Sequence, residues 1–181
     1  MSNPIAAWHQ EHAYFQRLLA LLQEQVDVFA EGGSPNYDLM LDVISYLTDY
    51  ADHVHHPRED EAFLRIARNC PDLVPVIARL QQEHRVIRIA GERLRVLLQE
   101  AADDAIVPRS EIEVAAATYL VYYGNHIALE EEDILPRAAD VLKPADWQAA
   151  MQAVPREPDP LFGEKPQDRY RDLRRRIALE A

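Results

Sequence analysis

Four stretches of the chain, each roughly 25 to 32 residues and so of ordinary length for a helical bundle, carry apolar side chains at alternating steps of three and four. Each row is broken once by a histidine. The first reads Ile5, Trp8, His12, Phe15, Leu19, Leu22, Val26, Phe29, and the second Met40, Ile44, Leu47, Ala51, His55, Glu59, Ala62, Ile66. The third is Leu73, Ile77, Leu80, His84, Ile87, Gly91, Leu94, Leu98, Ala101, and the fourth Ile112, Ala116, Tyr119, Tyr123, His126, Glu130. This period turns one face of each helix toward a shared core. Breaks at Gly32 to Asn36, at Asn69 to Asp72 and at Asp103 to Pro108 separate the stretches, and Pro136 followed by Lys143 and Pro144 closes the last. Ser110 with Glu113 predicts a capping box for the fourth helix, unless Pro108 starts it earlier.

Loops this short make successive helices antiparallel. The expected fold is all-α: an up-down antiparallel four-helix bundle over residues 1–142 with a short C-terminal helical appendage over residues 143–181. In the appendage, Asp146 to Ala153 and Gln167 to Leu179 are helix candidates on either side of Pro155, Pro158, Pro160 and Pro166. It is expected to pack on the bundle or on a second subunit of a homodimer, and no chemistry is read in it.

Composition narrows the function classes. Glycine is scarce and turn-bounded β-rich runs are absent, in keeping with helix. With a formal net charge of -12 and one dense basic cluster, Arg174 to Arg176, the chain is not expected to bind nucleic acid. No apolar run approaches a membrane span. Met1 to Trp8 lack the basic and apolar regions of a secretion signal, and the single Cys70 has no internal disulfide partner. A cytoplasmic protein without membrane contact is the expectation.

The chemistry lies in the interruptions. His12 and His55 each stand about 21 residues from the centre of the first loop, His55 and His84 about 15 and 14 from the second, and His84 and His126 about 21 from the third. At about 1.5 Å rise per residue these mismatches amount to a few ångströms. Four inward histidines thus meet at one level, joined by Glu59 and Glu130, each one helical turn beyond a histidine and on the same face. The two halves of the chain repeat this plan. Glu11-His12 matches Glu83-His84 at an offset of 72 residues, and His55-x-x-x-Glu59 matches His126-x-x-x-Glu130 at 71. Two such halves face to face make a pseudo-symmetric site for two metal ions, with His12, His55, Glu59, His84, His126 and Glu130 as ligands and carboxylates able to bridge. A metal-free polar network would leave two carboxylates unneutralised in a core, at high cost. His9 reads as surface or an outer contact, and His53 and His56 as flanking residues on other faces. Tyr119 and Tyr123 read as core or as hydrogen-bond donors to a metal-bound species, the acidic runs at 59–61 and 130–133 as mostly solvated, and Trp8 as packing.

These residues resemble a known family. Glu11-His12, His55-His56-Pro57-Arg58-Glu59, Glu83-His84 and His126-x-x-x-Glu130 with Ile134-Leu135-Pro136 resemble the hemerythrin-like HHE cation-binding domain over roughly residues 4 to 140. The resemblance implies an up-down bundle around an oxo- or hydroxo-bridged di-iron centre on the same six residues. The oxygen-carrying hemerythrins have a fifth histidine one turn along the third helix and an aspartate on the fourth. Here Leu80 and Arg88 stand one turn either side of His84, and Glu130 replaces the aspartate. That set is closer to bacterial hemerythrin-like proteins, including a branch linked to iron–sulfur-cluster repair and nitric oxide. Pro57, between His55 and Glu59, is expected to kink its helix.

The nitrogen and oxygen donors admit iron, zinc or manganese, and carboxylate bridging with open positions favours iron. The expected function is a di-iron protein that binds or senses oxygen, nitric oxide or peroxide. Six side chains leave a vacancy, expected near the third helix within reach of Arg88. The rival readings are an iron-dependent enzyme or iron donor in nitric oxide or peroxide defence and cluster repair, and a metal-stabilised interaction module.

Overall fold

A computed structural model describes residues 4–154 and 157–179 of the chain. Among these residues all regular structure is helical. Helix α1 spans Pro4–Ala30. Helix α2 is one rod in three continuous parts: α-helical Tyr37–Tyr46, a π-helical stretch Leu47–His55, and α-helical His56–Asn69. A 3-10 turn, Pro71–Leu73, leads into α3, Val74–Ala102. Helix α4 is again one rod, with Arg109–Leu129, a π turn Glu130–Ile134, and Leu135–Val141. Two short helices follow, α5 (Pro144–Gln152) and α6 (Arg171–Leu179). None of the helices is long and apolar enough to cross a membrane, among the described residues.

The π stretches have a cause in the sequence. Pro57 and Pro136 both lie inside helices, where proline lacks an N–H and its ring presses on the carbonyl four residues back. The rods continue because the turn ahead of each proline is widened. The His56 N–H bonds to the Ala51 carbonyl and the Leu135 N–H to the Glu130 carbonyl, each five residues back. The Thr48 carbonyl accepts from the His53 ring nitrogen at 2.9 Å. The expected kink at Pro57 is thus a π-helical passage, and Pro136 does not end α4.

Asn36 caps α2 by accepting from the Leu39 N–H at 3.0 Å. The capping box expected at Ser110 is not formed. Helix α4 starts at Arg109 after Pro108, with no side-chain cap.

The four rods make an all-helical bundle in which α1 and α3 each pack between α2 and α4. Its apolar interior is in two clusters. One gathers Phe15 to Phe29 of α1, Leu39 to Val54 of α2, Ile87 to Leu98 of α3 and Ile112 to Ile127 of α4. The other gathers Trp8, Ala62 to Ile66, Ile77 with Leu80, and Ile134 to Ala138 from the opposite ends of the same rods. Between them the seams are polar, at the level of the interrupting histidines.

The C-terminal residues lie on the first cluster, to which Leu161, Tyr170, Leu173 and Ile177 belong. The Tyr46 hydroxyl donates to Asp159 at 3.1 Å, Arg17 donates to the Ile177 carbonyl at 2.6 Å, and Phe162 stacks on Tyr14 at 3.9 Å. Helix α5 covers the second cluster, with Trp147 edge-on to Trp8 at 5.6 Å.

Candidate metal centre

Each rod brings its histidine to the gap between the two apolar clusters. His12 comes from α1, His55 and Glu59 from α2, His84 from α3, and His126 and Glu130 from α4. All six are buried, Glu130 and His126 most completely. Bulk water therefore does little to offset the charge of the two carboxylates.

Their arrangement is ordered in two pairs. The Nε2 atoms of His12 and His55 lie 3.1 and 2.7 Å from Glu59 Oε1. His12 Nε2 is also 3.3 Å from Glu130 Oε2. On the other side, His84 Nε2 lies 3.3 Å from Glu59 Oε2, while His126 and His84 approach Glu130 Oε1 at 3.3 and 3.9 Å. Each glutamate therefore shows one oxygen to the His12–His55 pair and the other to the His84–His126 pair.

The outward ring nitrogens are held as regularly. The Nδ1–H of His55 donates to Glu11 at 2.8 Å and that of His126 to Glu83 at 3.3 Å. His84 Nδ1 donates to Asp60 at 3.1 Å and His12 Nδ1 to Glu131 at 2.6 Å. The carboxylate that precedes a histidine in sequence thus orients the other histidine of its own half, and the one that follows a glutamate orients a histidine of the opposite half. Four carboxylates fix four tautomers with Nε2 facing inward, the outer arrangement that metal-bound imidazoles take. Arginines brace two of them: Arg79 to Glu83 at 2.7 Å and Arg58 to Glu11 at 3.7 Å.

The electrostatics call for cations. Burial disfavours charged imidazoles, yet the glutamates outweigh it. His12 is held well above the usual histidine range by Glu130, Glu131 and Glu59, His55 is raised to about 9, and His84 to about 10. Burial likewise opposes the charge on Glu59, but His55, His12 and His84 hold its carboxyl well below the usual range. Glu130, opposed by burial and by Glu59, is lowered by His126 and His12. All four imidazoles are thus shifted toward the charged form beside the two carboxylates. Several inward atoms still have no hydrogen-bond partner: Glu59 Oε2, both Glu130 oxygens, and the Nε2 atoms of His84 and His126. Buried polar atoms are normally paired, so this donor set fits metal ions.

A family model, the hemerythrin HHE cation-binding domain, matches residues 3–138. This chain belongs to the hemerythrin HHE family. No curated protein matches it.

The hemerythrin domain gathers more residues at its centre than the sequence singled out. His56, expected on a flanking face, is 3% exposed and lies in the cluster, its ring stacked on His84 at 4.3 Å. The adjacent His55 turns toward α1, with its ring 5.2 Å from His12. The two neighbours straddle the interior, a placement that follows the π-helical turn ending at His55. Burial and the charge of His84 hold His56 well below the usual histidine range. Trp8, read as packing, also donates its indole N–H to Glu59 Oε1. Glu131 and Asp60, read as solvated, are the outer partners of His12 and His84. His9 is at the surface, 2.5 Å from Glu131, and His53 bonds to the Thr48 carbonyl. Tyr119 and Tyr123 are fully buried, and their hydroxyls have no partner among the described residues.

Phe15 stands edge-on to His55 at 4.7 Å and Phe63 is parallel to His84 at 5.9 Å, so aromatic rings close both flanks. A polar cavity of about 170 Å³ reaches the backs of His56 and His84, beside Asp52, Asp60, Arg85 and Arg88. A larger apolar groove, between α3 and α4 at Val86, Ile89 and Val114, contains none of the site residues.

Proposed function

We propose that this hemerythrin domain holds two iron ions on His12, His55, Glu59, His84, His126 and Glu130, and that the pair binds or senses a small diatomic or peroxide ligand. The observation that carries this reading is the division of each glutamate's two oxygens between two histidine pairs. Oxygens divided in this way would let each carboxylate serve two neighbouring ions, as in two-metal sites. Imidazole and carboxylate donors suit iron, and they leave six-coordinate ions short of ligands. The alternation of rod ends between the two apolar clusters supports the up-down order of the bundle. The same reading takes residues 1–142 as the metal-binding bundle and 143–181 as its covering extension.

Iron, when bound, supplies open coordination positions and a reversible change of oxidation state. The chain does the rest. Glu11, Asp60, Glu83 and Glu131 keep a proton on each Nδ1, leaving the Nε2 lone pairs free. Trp8, Phe15 and Phe63 exclude water from the flanks. The cavity beside His56 and His84 gives a small ligand its approach, past a rim that carries Asp52 and Asp60 as well as Arg85 and Arg88.

Metal analysis and the absorption spectrum of reduced protein, with and without nitric oxide or hydrogen peroxide, test the reading. Two irons per chain and a spectral response are expected. Two irons without a response would make the metal structural or stored. Steady consumption of nitric oxide or peroxide would mark an enzyme, and a colourless zinc protein a metal-stabilised interaction module.

A further inference from the structure

We propose that His56 is a fifth histidine ligand, binding through Nε2 to the ion that His84 and His126 hold. The proposal rests on the two-ion reading above and concerns a residue outside its six. Single ligand atoms of His56, Glu59, His84 and His126 all lie within 4.8 Å of one another. A second group of the same kind comprises His12, His55 and Glu59, without His56. Donors about 2.0–2.2 Å from one ion are at most about twice that distance apart, so the first group needs only small adjustments to enclose a metal.

His56 shares part of the layout of the other four histidines, a carboxylate beside Nδ1 though without their hydrogen bond to it. Its Nδ1 lies 3.0 Å from a buried carboxylate oxygen, Asp52 Oδ1. Its Nε2 is buried and has no hydrogen-bond partner among the described residues. The ring lies nearly parallel to His84, at 15°, and crosses His126 at 80° with 5.7 Å between centroids. The other half of the chain has no equivalent, because the position 71 residues on is the buried, apolar Ile127. On the far side, Trp8 bonds to Glu59 instead. The centre is therefore unequal. Three imidazoles serve one ion and two the other, so the ion of His84 and His126, where the His56 ring packs on His84 of α3, keeps fewer open positions than the ion of His12 and His55.

The test uses the full chain loaded with 57Fe. Wild type should take up two irons and show two distinct Mössbauer environments in the resting state. In His56→Ala and His56→Gln, one environment should change and that iron should pass to a chelator about tenfold faster or more, while the other keeps its signal. If wild type takes up two irons and both variants keep its resting spectrum and chelation rate, His56 is not a ligand, even if the response to nitric oxide changes. If wild type itself fails to hold two irons, the two-ion reading falls and this proposal with it. Should the variants not fold, pulsed EPR of mixed-valent wild type with 15N-labelled histidine decides. Five coupled imidazoles support the proposal and four overturn it.

Discussion

Glu11 accepts the Nδ1–H of His55 at 2.8 Å, so the residue chained to one inward histidine orients the inward histidine of the next helix. Glu83 repeats this for His126. Glu11→Gln and Glu83→Gln keep the size of the side chain and remove its charge. Each should weaken metal binding by about 10–100-fold, with the far-UV circular dichroism unchanged. Glu24→Gln, on the exposed face of α1, should leave affinity alone. Wild-type affinity in both site variants would show that these carboxylates do not position the histidines.

Metal binding should release protons. His55 and His84, raised to about 9 and about 10, are protonated at pH 7 in the metal-free protein, and ligation requires their Nε2 lone pairs. Loading in weak buffer with a pH indicator should therefore acidify the solution, and affinity should rise between pH 7 and 10. No proton release at pH 7 would contradict the paired, charged state.

The sign for stability follows from the same groups. Their folded values lie above the unfolded histidine value of about 6.5, so their contribution is complete below that pH. It is lost as pH rises through about 9 for His55 and about 10 for His84. Metal-free protein should lose melting temperature over that window, and metal-loaded protein should lose less. Parallel melting curves across pH 6.5 to 10 would remove the argument.

Removing metal should destabilise the bundle at neutral pH. An ion at a free concentration a hundredfold above its Kd adds about 2.7 kcal/mol, or about 5–10 °C for a domain of this size. Differential scanning calorimetry of stripped and reloaded protein measures it. Coincident transitions would mean that the folded bundle holds no metal.

Gly91 tests the packing above the centre. A Cβ there would lie 2.8 Å from Tyr119 Cε2 and 3.0 Å from Thr48 Cγ2, at the crossing of α2, α3 and α4. Alanine gains about 1 kcal/mol in helix propensity, but overpacking a fitted core costs about 1–3 kcal/mol. Gly91→Ala should lower the melting temperature by a few degrees. A rise would show that the rods stand further apart at this level.

Much of the molecule is legible in the primary structure because it depends on local periodicity. The steps of three and four place His12, His55, His84 and His126 in the seams. Loop spacing sets them at one depth, and the internal repeat pairs Glu59 with Glu130. Helix geometry is regular enough for such counting to survive folding. The pattern was also sufficient to mark Lys143 and Pro144 as the end of the last rod.

The tertiary structure decided what depends on departures from that regularity or on contacts between rods. His56 reads as off the seam by α-helical counting, yet the widened turn before Pro57 brings both it and His55 inward, toward different neighbours. Glu131 and Asp60 look like members of solvated acidic runs, because no helix face shows which imidazole of another rod will bond to them. The indole N–H of Trp8 is apolar packing by pattern and a donor to Glu59 by position. Sequence alone determined the level of the site and six of its inward residues. Only the packing of the four rods, through distances between groups far apart in the chain, decided how its oxygens divide, which nitrogens face in, and that a fifth imidazole stands among them.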